Sequence, residues 1–81
     1  MKYKILHIPT GAYYTGVYDM PSFLRETDTA PAIFNNIKDI IFTIARIIYY
    51  CKIKPACFVI DSEFYAVPIL ENELEIIEIE E

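Results

Sequence analysis

The chain holds one histidine, two glycines and two cysteines, and residues 61–81 hold no lysine or arginine. Each scarcity excludes something. One histidine beside Cys51 and Cys57, which are not spaced as the close pair of a zinc knuckle, cannot assemble four zinc ligands. No metal or other cofactor is expected. Both glycines lie in residues 11–16, and Thr10-Gly11 lacks the Lys-Ser/Thr pair and following helix of a phosphate loop. Long apolar runs are missing as well. In the most apolar region the charge-free stretch Ile40–Ala45 stops at Asp39 and Arg46, whereas a spanning helix needs ~20 apolar residues. The start, Met1-Lys2-Tyr3-Lys4, has no apolar signal core. The expectation is a cytoplasmic protein with reduced thiols and no membrane contact. No internal repeat or low-complexity linker divides residues 1–81, so one domain is expected.

What is present is apolar and unevenly charged. Hydrophobic residues make up 54% of the chain, above the ~45–50% of ordinary domains. The excess fits either an unusually apolar core or burial against another chain, as a homodimer or with a partner. Residues 1–60 carry all seven bases and four acids; residues 61–81 carry eight acids. Direct nucleic-acid binding is disfavoured, because affinity there rests on Lys and Arg at phosphates.

Periodicity supplies the elements. Tyr3–Ile8 nearly alternates and reads as a strand, Pro9-Thr10-Gly11 as a turn, and Ala12–Tyr18 as the returning strand. Gly16 inside it marks a bulge or a close backbone approach. Met20–Ala32, punctuated by Pro21 and Pro31, reads as a connection, with Asp28 or Thr29 capping the helix after it. Over Ile33–Cys51 a helical period gathers Ile33, Ile37, Ile40, Ile41, Ile44, Ala45, Ile47 and Ile48 on one face. Asn35, Asn36, Lys38, Asp39, Thr43 and Arg46 lie opposite. Lys52 and Lys54 suit the helix C-terminus, and Pro55 helps to stop it. Cys57–Ile60 reads as a buried strand, Asp61-Ser62-Glu63 as a turn, Phe64–Val67 as a short strand and Leu74–Ile79 as the last one. The last strand changes phase between Ile76 and Ile77, which implies a bulge or two partly buried faces. The order β-β-α-β-(β)-β predicts an α+β fold. One long amphipathic helix covers one face of a small, mainly antiparallel sheet that includes both chain ends.

Candidate chemistry is sparse. His7 lacks a recognisable orienting partner and reads as a hairpin residue whose ring packs or hydrogen-bonds near the turn. Glu71, Glu73 and Glu75 alternate, and with Glu78 and Glu80 they read as the charged solvent edge of a strand. The same carboxylates could instead imitate phosphates in a basic groove. Phe42 and Tyr49 fall at nearly one helix angle, within the polar arc that holds Lys38 and Arg46. Aromatics beside Arg are common interface anchors; the opposing reading is that residues 20–32 or the C-terminal segment cover them. Of Tyr13 and Tyr14, adjacent on a strand, one faces the core and the other faces away.

The opening YKILHIPTGAYY resembles that of small, mostly uncharacterised proteins of tailed bacteriophages. Their pattern is roughly Tyr-Lys-Ile-x-His-x-Pro-Thr-Gly-x-Tyr-Tyr, often with an acidic aliphatic end like ELEIIEIEE. After the hairpin the chain departs from those proteins, reading DMPSFLRETD where they often carry a basic stretch. The resemblance implies a viral accessory protein used inside a bacterial cell and carries over no catalytic residue. The expectation is a non-enzymatic protein that binds a host or viral protein and occupies its surface. A self-associating module and an acidic nucleic-acid mimic are the alternatives. Phe42, Tyr49, Arg46, Lys38, Glu73, Glu75, Glu78 and Glu80 are the candidate contacts.

Overall fold

In the computed structural model, residues 1–17, 20–25, 31–53 and 58–79 are described. The elements are β1 (Lys2–His7), β2 (Ala12–Val17), β3 (Pro21–Leu24), α1 (Ile37–Ile53), β4 (Phe58–Ile60), β5 (Glu63–Tyr65), a 3-10 turn (Glu71–Glu73) and β6 (Leu74–Ile79). The strands form one six-stranded sheet in the order β5-β4-β3-β2-β1-β6. Only β3 and β4 run parallel; the other pairs are antiparallel. The molecule is therefore α+β, with one helix packed on a mostly antiparallel sheet.

The first hairpin closes on main-chain bonds. The His7 carbonyl accepts from the N–H groups of Thr10 and Gly11, at 3.3 and 2.9 Å. Gly11 sits at φ +72°, where a side chain would be strained. Gly16 does mark a bulge: the β2–β3 register slips between Tyr14 and Gly16, with Gly16 at φ +148°.

β3 corrects the reading of residues 20–32 as a plain connection. Pro21 stands at the first strand position, where its missing N–H is tolerated. Pro21 and Phe23 alternate inward, and both are fully buried. The helix also starts later than Ile33. Residues 32–34 are wedged between β1 and β2, which pair only at Leu6↔Tyr13 and His7↔Ala12. The Ala32 N–H donates to the Tyr14 carbonyl, and Phe34 exchanges two 2.9 Å bonds with Tyr3. Those bonds hold Ile33 and Phe34 extended despite their helical period. Asn36, not Asp28 or Thr29, caps α1. Its Oδ1 accepts from the Asp39 N–H at 2.9 Å, while its Nδ2 donates to the Asp39 carboxylate. Asp28 and Thr29 themselves lie outside the described residues, as do Tyr18, Lys54, Pro55 and Cys57. The second short strand comes one residue early, at Glu63–Tyr65, because Asp61 and Ser62 alone make the turn.

The core lies between α1 and one face of the sheet. Ile40, Ile47 and Cys51 are buried on the helix, against Ile5, Ala12, Tyr14, Phe23, Phe58, Ile60 and Leu74 from the strands. The strand side of this layer is an aromatic row. Tyr65 stacks on Phe58 at 5.2 Å, Phe58 and Phe23 meet edge-on at 6.1 Å, and Tyr14 meets Phe23 at 5.7 Å. Phe34 extends the row by stacking on Tyr14. Burial pushes the Tyr14 hydroxyl pKa above the ordinary tyrosine value, against a smaller opposing effect of Arg46.

Candidate interaction surface

The helix stripe is wider than the face it buries. Ile40, Ile47 and Cys51 meet the sheet, but Ile37 and Ile41 on the flank remain 42% and 56% exposed. A straight helix touches a sheet along one narrow meridian, so a stripe this broad leaves a flank in solvent. Ile33 and Ala45, placed on the same face by the sequence, are exposed too. Phe42 and Tyr49 are 65% and 62% exposed, and no described residue covers them. Lys38 and Arg46 are exposed beside them. The structure thus brings the helical half of the predicted contact set to one outer surface.

Beside that flank runs a cleft of about 670 Å³. Ile41, Ile44, Ala45, Ile48 and Tyr49 form its helix wall, and Leu74, Glu75 and Ile76 of β6 form the other. Lys52 and Glu71 also line it. The stripe and the last strand are visible in the sequence, but the cleft is not, because it needs the long-range pairing that sets β6 beside α1.

β6 is an edge strand. Its six pairs with β1 run from Lys2↔Ile79 to His7↔Leu74 without a slip. The phase change in its sequence is therefore not a bulge; β6 has two partly buried faces. Leu74 and Ile76 share the helix side with their partners His7 and Ile5. Ile77 and Ile79 lie on the other side, opposite Lys4 and Lys2. Glu75 and Glu78 fall on opposite faces for the same reason, so β6 does not present one row of carboxylates. Glu73 belongs to the 3-10 turn and is engaged: its carboxylate accepts from the Leu70 N–H at 2.8 Å. Glu80 lies outside the described residues.

The main-chain bonding of β6 is set by its register. The Ile8 N–H donates to the Glu73 carbonyl at 2.8 Å, which fixes which residues bond toward β1. Antiparallel pairs alternate between exchanging both bonds and turning both polar groups outward. Ile76 and Glu78 are therefore outward-turned. Tyr3, the partner of Glu78, agrees: both of its main-chain groups bond Phe34 on the far side. The Leu74 N–H is taken by the Glu71 carbonyl. No described residue bonds the outer N–H and C=O groups of Ile76 and Glu78.

His7 is buried, with Nδ1 2.8 Å from the Thr10 hydroxyl and its ring near Phe23 and Phe58 at 5.6 and 5.5 Å. Burial lowers its pKa below the usual 6.5, and Glu73 opposes that weakly. This is the packed hairpin residue that the sequence predicts. Tyr14 is the inward tyrosine, and Tyr13 faces away under the Lys4 ammonium, 4.1 Å from its ring centre. Among the described residues, no three His, Cys, Asp or Glu side chains gather as a metal site, and no helix is long and apolar enough to cross a membrane. Compared with known proteins, the chain matches no family model, no curated protein and no solved structure.

Proposed function

We propose that this chain is a non-enzymatic interaction protein that binds another protein and alters it by occupying its surface. One observation carries the reading: the uncovered helix flank of Ile37, Ile41, Phe42 and Tyr49 runs into an apolar cleft beside an open sheet edge. Contiguous exposed apolar surface of this kind marks interaction sites, and an aromatic pair near Arg46 and Lys38 supplies anchors. The resemblance of the opening segment to tailed-bacteriophage proteins supplies the setting, a host or viral protein in the cytoplasm of an infected bacterium.

The test is affinity capture from bacterial lysate with the wild-type chain and a Phe42→Ser/Tyr49→Ser variant. Both substituted side chains are exposed, so circular dichroism should be unchanged while capture of a specific partner drops. Repeated failure to recover a specific protein, or equal capture by the variant, overturns the reading.

A second reading, self-association, is favoured by the sheet face away from α1. Val59 and Phe64 pair there, as do Leu24, Tyr13 and Leu6 across three strands, and no described element covers them. Sedimentation that finds a strict monomer at high concentration removes it.

A further inference from the structure

We infer that β6 accepts a seventh strand: an extended segment of a partner protein that alternates apolar residues with Lys or Arg. This rests on the interaction reading above and specifies the partner's chemistry.

Three observations converge on the same edge. First, the outer main-chain groups of Ile76 and Glu78 have no partner among the described residues, so a strand laid alongside would find its ladder ready. Second, the cleft lies on the same side of the sheet as the Ile76 side chain. Side chains of an added strand alternate between faces, so every second one would enter the space between β6 and the helix wall of Ile41, Ile44 and Ile48. Those positions call for apolar residues.

Third, the charge at the edge has one sign. Glu71 lines the cleft against one base, Lys52, and Glu75 turns its carboxylate to the open face with Ile77. β6 itself carries Glu75 and Glu78 and no base. Opposite charges across neighbouring strands stabilise, and like charges oppose pairing. A second copy docking through its own β6 would set two acidic, base-free strands side by side, whereas a strand carrying Lys or Arg offsets that charge. The inner edge of β6 is already paired with a strand that alternates bases with apolar residues, its Lys4 diagonal to Glu75 on one face. There β1 sets Lys2 and Lys4 on the open face and Tyr3 and Ile5 on the helix side. A partner strand with that alternation meets the outer edge in the same way.

The probe is a synthetic acetylated peptide of residues 1–7, MKYKILH, titrated into the isotope-labelled full chain and followed by NMR. The amides of Ile76 and Glu78 should shift and gain exchange protection, with further shifts at Ile44 and Ile48. The same peptide with Lys2→Glu and Lys4→Glu should bind at least about tenfold more weakly. A version N-methylated on alternate residues, which cannot form the ladder, should leave Ile76 and Glu78 unprotected. In a Glu75→Lys chain the preference between the two charged peptides should narrow or reverse. Shifts confined to the opposite sheet face, no binding, or equal binding of the two charged peptides overturns the inference. If lysate capture depends on Phe42 and Tyr49 while the peptide leaves Ile76 and Glu78 unmoved, the interaction reading stands and the seventh strand falls.

Discussion

Asp61 accepts two hydrogen bonds from Arg25, 36 positions earlier: one from the main-chain N–H at 3.0 Å and one from Nε at 2.6 Å. The Asp61 N–H in turn donates to the Phe23 carbonyl at 3.1 Å. These bonds sit at one of the two shortest pairings of the sheet, since β3 and β4 share only Ser22↔Val59 and Phe23↔Ile60. One side chain therefore fastens the end of β3 to the turn after β4. The bonds from Arg25 hold the Asp61 carboxyl below the ordinary aspartate pKa of 3.8.

A carboxylate whose folded pKa is depressed stabilises above its unfolded pKa, and that stability is lost as pH falls through the folded value. Asp61→Asn removes the charge and keeps a residue that tolerates the turn. It should lower Tm by a few degrees at neutral pH, and the gap from wild type should close on acidification below 3.8. Thermal melts from neutral to acid pH check this. A gap that stays constant across that range would mean the Arg25 tie contributes nothing through charge.

Ser62 pairs with Asp61 in the two-residue turn between β4 and β5, at φ +70° and +49°. Both residues lie in the left-handed region, the geometry of a type I′ hairpin turn, which prefers glycine in the second place. Ser62→Gly should relieve about 1–2 kcal/mol of strain and forfeit part of that as unfolded-chain entropy, a net gain of ~0.5–1 kcal/mol. For a domain of this size that raises Tm by roughly 2–8 °C. An unchanged or lower Tm would show that Ser62 is unstrained in its turn.

The elements most legible in the sequence were those governed by local period. Leu74–Ile79 forms over the residues that its composition marks, and the core meridian of Ile40 and Ile47 matches the helical spacing. Gly16 announced its bulge because glycine has few other reasons to interrupt a tyrosine-rich strand. The hidden elements depend on distant partners. Pro21 concealed β3, since a proline is acceptable there only because it begins the strand. Ile33 and Phe34 continue the helical period but are drawn into extended form by Tyr3, which lies 31 positions before Phe34. Asn36 was a readable signal: an N-cap residue with Asp39 three positions on. It stayed hidden because the helical period begins at Ile33 and sets Asn36 on the polar face inside the helix, which moves the expected cap back to Asp28 or Thr29. The candidate surface was half legible. Phe42 and Tyr49 could be set on the outer helix face, but the edge position of β6 and its cleft arise from pairing across the whole chain.

His7 predicts a second acid effect, at higher pH. Its folded pKa lies below 6.5 because burial disfavours the charged ring. The neutral form's contribution is complete above the unfolded pKa and is lost as pH falls through the lowered folded value. Wild-type Tm should therefore decline as pH drops below 6.5, before Asp61 titrates. In His7→Phe, which keeps a ring beside Phe23 and Phe58, that part of the decline should be absent. Melts between pH ~7.5 and ~5, a window around the ordinary histidine pKa, separate the two variants. An equal slope in both would show that His7 is free to take a proton in the folded state.

The two sides of α1 should respond to substitution very differently, and the contrast tests the placement of the helix. Ile47 is fully buried in the core cluster, so Ile47→Ala should cost ~2–5 kcal/mol through lost burial and a residual cavity. Phe42→Ser and Tyr49→Ser remove larger side chains from exposed positions and should each stay within about 0.5 kcal/mol of wild type. Urea unfolding of the three variants measures both effects. If Phe42→Ser proved as costly as Ile47→Ala, the aromatic face would be packed in solution, and the outward surface proposed for partner binding would not exist. If Ile47→Ala were mild, the helix would not be seated on the sheet by its isoleucine meridian, and the cleft along β6 would have a different wall.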